Sequence, residues 1–198
     1  GNRGRLSDAI KHVHLHIDPL PTAFDIAAAK SGKALVREPD NVIEKISLEK
    51  GDVDRAIANA DVVIDSTYVT GAQEHMTIEP QGVIAHWNDL GALVVEGSLQ
   101  CPYYVHGALK AAFALSDEKV IVRQATTGGG FGGKEDFPSG LAIHAALLSR
   151  MCRRPIKMVY DRAEDIGATT KRHPSEIRHR IAVQRDGTIA AIDVEIDI

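Results

Sequence analysis

Polar and apolar positions along the chain repeat with two periods, and the switches between them mark out its elements. Val13, Leu15 and Ile17 alternate with His12, His14 and His16, the period of a half-buried strand, and Asp18-Pro19-Leu20-Pro21 ends it. The three histidines would share one strand face, but next-but-one positions on a strand lie about 7 Å apart, so exposed histidines are expected rather than a metal site. Residues 31–41 read as loop. Lys50-Gly51-Asp52 then precedes a short helix at 53–59, and a domain boundary is expected there. The β-branched run from Val62 to Val69 predicts a strand; 82–87 and 92–96 predict two more, joined by the turn Asn88-Asp89-Leu90-Gly91. Pro102 opens a helix whose Val105, Ala108, Leu109, Ala112 and Phe113 form one apolar stripe. A strand at 119–124 leads into a glycine-rich loop. Pro138 starts a second helix, with Leu141, Ala145, Leu148 and Met151 expected inward, and 156–160 is a further strand. Ile177, His179, Ile181 and Val183 alternate, Asp186-Gly187 signals a type I′ hairpin, and Ile192, Val194, Ile196 and Ile198 alternate on the return. These elements predict an α+β fold of mixed sheets with packed helices. Because the alternation is still running at Ile198, the last domain is expected to be incomplete at its C-terminus.

Composition narrows the function classes. With 198 residues, 44% hydrophobic and 25% charged, the chain has the profile of a soluble globular protein, and no apolar run approaches the roughly 20 residues of a membrane span. Gly1 to Asp8 is polar and carries no export pattern, so a cytoplasmic location is expected. Two cysteines, Cys101 and Cys152, are too few for an iron–sulfur cluster or a four-cysteine zinc site and read as free thiols. A net charge of −4 argues against nucleic-acid binding. The stretch from Arg150 to Arg185 is nevertheless basic, which suits a solvated face, an anionic cofactor or a partner subunit.

The densest chemical signal is Gly128-Gly129-Gly130-Phe131-Gly132-Gly133-Lys134-Glu135, between a predicted strand and a predicted helix. Glycine at that density lets backbone come close to something, and a strand, a glycine turn and a helix start together present N–H groups to an anion. Gly128 to Lys134 matches the core of a nucleoside-triphosphate loop, but Glu135 stands where a magnesium-binding Ser or Thr belongs. Gly128, Gly130 and Gly133 also fit a dinucleotide fingerprint, yet the next strand-end acid, Asp161, falls late for one. A stand-alone nucleotide-binding module using Gly128 to Lys134, and a non-catalytic scaffold, are the readings that compete with the one below.

Taken with Gln73-Glu74-His75 and Glu79-Pro80 upstream, Ser98-Leu99-Gln100 between, and Arg154-Pro155 and Lys171-Arg172-His173-Pro174 downstream, the glycine run resembles the molybdopterin-binding large subunit of the xanthine dehydrogenase and aldehyde oxidase family. The resemblance covers about 51–198. It implies that 1–50 is the end of a preceding α/β domain with a linker, and that 51–198 is the N-terminal portion of the molybdenum-cofactor-binding domain. Such enzymes hydroxylate an aldehyde or a purine-like N-heterocycle with oxygen from water. The implied cofactor is molybdenum-molybdopterin, with the cytosine dinucleotide form as one option, and iron–sulfur and FAD groups are implied on other domains or subunits. By the same resemblance Gln100 donates an amide hydrogen bond to the apical oxo ligand. Gly130, Phe131 and Gly132 approach the cofactor, Phe131 and Gln100 lying at the metal's ligands, and Glu135 contacts a heteroaromatic substrate. Glu74, His75, Glu79 and Arg172-His173-Pro174 are read as scaffold. The catalytic glutamate and the substrate-steadying arginine are not matched by any residue here, so no residue is assigned as catalytic base and the chain alone is expected to be inactive.

Overall fold

The computed structural model of the chain describes residues 3–198. In chain order its elements are α1 (Arg3–Ile10), α2 (Ile26–Lys30), α3 (Val53–Ala58), β1 (Val62–Thr70), β2 (Gly82–Trp87), β3 (Leu93–Gly97), α4 (Pro102–Phe113), β4 (Val120–Gln124), α5 (Pro138–Cys152), β5 (Ile156–Val159), α6 (Arg162–Ala168), β6 (Ser175–Val183) and β7 (Ile189–Asp197). This is an α+β fold, as the pattern predicts. The chain divides into two compact units, one made of the residues up to Val69 with Ser175–Ile198, the other of Thr70–Pro174.

The first unit holds a three-stranded sheet in the order β1-β6-β7. The β6–β7 pairing is antiparallel, with Ile177 opposite Ile196 and Ile181 opposite Ile192, so the alternating residues share a face. Asp52 caps α3 by accepting from Arg55 N at 3.0 Å, which satisfies one of the helix's free N–H groups. Two expectations fail in this unit. Residues 13–17 form no strand, and Val13, Leu15 and Ile17 are 63%, 77% and 73% exposed. Alternation supplies a face, but a strand also needs a neighbour for its N–H and C=O groups, and none pairs with this segment among the described residues. The histidines between them are exposed, and no group of three metal-ligating side chains occurs among the described residues. The hairpin is present but its turn is not type I′. Gly187 has φ +88° whereas Asp186 does not have positive φ; Gly187 N donates to Gln184 O at 2.9 Å and Gln184 N to Thr188 O at 2.8 Å. That is a tight turn closed by one left-handed glycine.

The second unit holds a four-stranded sheet in the order β4-β3-β2-β5. β2 is antiparallel to both β3 and β5, while β3 and β4 are parallel, with Gly97 opposite Gln124. A parallel pair needs a crossover, and α4 provides it. Pro102 stands at the start of α4 and Pro138 at the start of α5, where a missing N–H costs nothing. The core lies between sheet and helices, with Leu93, Val95, Val105, Leu109, Leu141 and Ala145 at most 1% exposed. Trp87 closes one end: its Nε1 donates to Ala146 O at 3.1 Å and its ring meets Phe113 edge-on at 5.6 Å. The inward face of α5 is rotated from the expected one. Leu148 and Met151 are 41% and 72% exposed, and Ala142, Ala146 and Ser149 are buried in their stead. Small residues let the helix lie close to the sheet, so size outweighs hydrophobicity in choosing the face. Ala112 of α4 is likewise exposed. No helix among the described residues is long and apolar enough to cross a membrane.

Candidate functional site

In sheets with parallel strands, ligands meet the protein beyond the carboxyl ends of those strands. Gln100 follows β3 and the glycine loop follows β4, so both stand at that edge. Ala125 N donates to Gly97 O at 2.8 Å, and Gln124 Nε2 donates to Leu99 O at 2.6 Å. The parallel pair is thereby extended by one step before the loop departs.

The structure brings four of the sequence-predicted residues into one constellation. Gln100 Oε1 accepts from Gly132 N and from Lys134 N, each at 3.0 Å, and Gln100 N donates to Lys134 O at 2.7 Å. An amide whose oxygen receives two N–H groups must turn its nitrogen the other way. Gln100 Nε2 donates to no group among the described residues. Gly130 packs directly on this side chain: a Cβ there would stand 2.4 Å from Gln100 Cδ and Oε1. Phe131 has φ +52° and its residue is 75% exposed. Glu135 is also exposed, three residues before Pro138 at the start of α5, and its carboxylate has no partner among the described residues. A pocket of about 490 Å³ beside the loop is lined by Gln73, Glu74, His75, Phe131, Asp136 and residues 170–173; Gln100 and Glu135 do not line it.

Beneath the loop lies a polar network that periodicity does not reveal. Glu79 Oε2 accepts from Ser98 Oγ at 2.6 Å, Gly128 N at 2.7 Å and Lys134 Nζ at 2.9 Å. Burial pushes the Glu79 carboxyl up, but donation by Ser98, Lys134 and Gly128 outweighs it and holds the group below the ordinary carboxylate range. Lys134 is fully buried, and its ammonium also lies 3.1 Å from Ser98 Oγ. Gln81 Nε2 donates to Gly133 O at 2.7 Å and Gln81 N to Asp165 Oδ1 at 3.0 Å. Arg162 donates to Thr77 O, Ile78 O and Asp165, so the start of α6, closed by an Asp161–Glu164 capping box, steadies the 77–81 segment. Glu74 pairs with Lys171 at 2.7 Å, and Gln73 bridges to Arg172. Glu74, Glu79 and Arg172, read as scaffold, thus each bond to other parts of this unit. Gln81, Asp165 and Arg162 carry no signal in the sequence, and Ser98 stands there only as part of the Ser98-Leu99-Gln100 segment; the one available pointer is the acid of Glu79-Pro80 together with a glycine run that ends in lysine.

The network also leaves the nucleotide-binding reading without support. A phosphate-binding lysine must present its ammonium to the ligand, whereas Lys134 turns inward to Glu79 and is 0% exposed.

Comparison with known proteins gives the family and the fold. A family model described as the molybdopterin cofactor-binding domain matches residues 35–197. The nicotinate dehydrogenase large molybdopterin subunit of Eubacterium barkeri is 34% identical over 192 residues, 96% of this chain and 45% of that subunit. Xanthine dehydrogenase of Dictyostelium discoideum is 31% identical over 149 residues, 75% of this chain and 11% of that protein. Among solved structures, the aldehyde oxidoreductase of Desulfovibrio gigas shares the fold, with a TM-score of 0.86 at 23% identity over 98% of this chain and 22% of that chain. The chain therefore spans less than half the length of these relatives.

Proposed function

Because the chain belongs to the molybdopterin cofactor-binding domain family of the molybdenum hydroxylases, we propose that it forms one wall of the cofactor site in an enzyme that hydroxylates an aromatic N-heterocycle. The observation that carries this reading is the half-used amide of Gln100. Its oxygen is held by Gly132 N and Lys134 N, which leaves Nε2 as a preorganised donor for an acceptor on the cofactor. The donor is neutral, so it binds an electron-rich group without adding charge that would shift the metal's redox poise. Gly130, Phe131 and Gly132 complete the wall, with Gly130 keeping the loop pressed to Gln100. When bound, the molybdenum centre supplies the two-electron oxidation that replaces a carbon–hydrogen bond by carbon–oxygen.

Glu135 is the residue we assign to the substrate. A free, exposed carboxylate accepts from a ring N–H or, protonated, donates to a ring nitrogen or keto oxygen. The names of two relatives, a nicotinate dehydrogenase and a xanthine dehydrogenase, favour a heterocycle over a simple aldehyde. Electrons would leave through iron–sulfur and FAD groups on other domains or subunits, and the proton acceptor for the reaction would also lie outside these 198 residues.

The test is made in the full-length enzyme. Gln100→Ala should lower kcat by about 100-fold or more with molybdenum retained, because such a donor acts on the transition state. Glu135→Ala should lower kcat/KM for an N-heterocycle by about 10–100-fold, the worth of a charged hydrogen bond, while sparing an aldehyde. Unchanged turnover in Gln100→Ala would remove that residue from the site, and equal losses on both substrates would make Glu135 a folding residue.

A further inference from the structure

Gln100 is oriented by a residue that is itself held from below. Lys134 contacts Gln100 from both sides through its backbone, N to Oε1 at 3.0 Å and O from Gln100 N at 2.7 Å. Its side chain runs the other way, into a fully buried position against Glu79 and Ser98. Glu79 Oε2 also receives Gly128 N, so one carboxylate oxygen gathers both ends of the 128–134 loop. Gly128 is packed onto Glu79 without spare room, since a Cβ there would stand 2.6 Å from Glu79 Cβ. Burying an ammonium is costly unless it is paired and hydrogen-bonded, and this one lies under a loop of glycines that offers few side chains to define its own shape.

We propose that Glu79 and Lys134 form a latch of positioning residues, which closes the glycine loop on Gln100 and thereby fixes which way the Gln100 amide faces. Neither residue touches the reacting atoms; both act through Gln100. Ser98 completes the latch as the hydroxyl that donates to Glu79 and accepts from Lys134. Without the latch, the two N–H groups that hold Gln100 Oε1 lose their fixed positions, and the amide is free to turn its oxygen outward. A carbonyl oxygen facing the cofactor repels an acceptor that the N–H would bind. The functional half of this inference rests on the role proposed above for Gln100; the mechanical half does not.

The experiment separates the two halves. Lys134→Met, which keeps length and loses charge, is compared with Glu79→Gln, which keeps shape and an acceptor oxygen. Amide hydrogen exchange of the full-length protein without cofactor reads the mechanical half: in Lys134→Met, Gly128, Gly132 and Lys134 should exchange about tenfold faster or more beyond the change in global stability read at core amides such as Val95 and Leu141, and by less in Glu79→Gln. In the loaded enzyme Lys134→Met should lower kcat toward the Gln100→Ala value with KM nearly unchanged. Added to Gln100→Ala it should cost little more, because both substitutions remove the same donor. Loop amides that exchange at the parent rate in both variants, or fully additive losses in the double variant, would overturn the latch. A Gln100→Ala enzyme with parent turnover would instead overturn the role of Gln100, and the exchange result would be unaffected.

Discussion

The loop at 128–134 and the turn at 184–188 both end a strand, and both contain glycine, yet they use it for different reasons. Gly187 has φ +88° and nothing within 4 Å of where a Cβ would stand; it is there for its dihedral angle. Gly130 does not have positive φ, but its missing side chain is the space that Gln100 occupies. The polar groups differ in the same way. Around the turn, Asp186 accepts from Thr188 N in an exposed setting, where water competes for every bond. Around the loop, the donors converge on Glu79 with Lys134 fully out of water. The turn needs only to reverse the chain, whereas the loop has to hold a particular side chain in a particular orientation.

The comparison is broken most severely at Gly130. Gly130→Ala should destabilise the protein by about 1–3 kcal/mol, the usual cost of forcing a methyl group into occupied space, and molybdenum content of the full-length enzyme should fall because the glycine loop itself, and not the Gln100 amide alone, is pushed out of place. Thermal unfolding and elemental analysis check it together. Gly187→Ala should cost about 1–2 kcal/mol through the left-handed backbone alone, leave molybdenum untouched, and be largely repaired by Gly187→Asn, which tolerates that conformation. Repair by asparagine at position 130 would contradict the distinction.

Acid should separate the regions next, by a smaller margin. Glu79 has its folded value held below the ordinary one, so the stability it contributes is complete above the ordinary glutamate value of about 4.3 and is lost as pH falls through the lower folded value. Its side chain is 42% exposed, so solvent screens part of the effect. Amide protection factors at Gly128 and Lys134 should decline in that acid window, and the decline should be much reduced in Glu79→Gln. A decline of the same size in that variant would mean that another group controls the loop.

Where one physical signal decided an outcome, the sequence was easy to read. The alternating residues Ile177 to Val183 and Ile192 to Ile196 do form β6 and β7 and share one face of the pair, although Ile192, Val194 and Ile196 on that face are exposed. Pro102 and Pro138 mark their helix starts. Two signals competed at α5, and its buried face follows Ala142 and Ala146 rather than Leu148 and Met151, since close packing on the sheet favours small residues. Residues 13–17 have a strand's alternation without a partner strand among the described residues. The glycine run and Gln100 could be singled out from spacing and resemblance, and they do meet in space. The three donors on Glu79 could not, because they come from positions 19, 49 and 55 residues away. Only folding brings them to one oxygen.

The smallest expected effect lies in the three-stranded sheet, where an ion pair resembles the latch on paper and differs in setting. Arg180 and Asp193 stand directly opposite each other on β6 and β7, with Nη2 and Oδ2 2.6 Å apart. Their side chains are 30% and 47% exposed, whereas Lys134 has no contact with solvent at all. A cross-strand pair at a partly exposed position gains modest Coulomb energy and pays side-chain entropy for it, so its net worth is about 0.2–1 kcal/mol. Asp193→Asn keeps the shape and one acceptor, and should therefore lower stability by no more than about 1 kcal/mol, with the difference shrinking as salt is raised. Chemical denaturation at low and high ionic strength measures both quantities. Lys134→Met under the same conditions should show a larger loss that salt barely changes, because screening ions cannot reach a buried ammonium. Equal losses with equal salt dependence would mean that burial does not distinguish the two pairs.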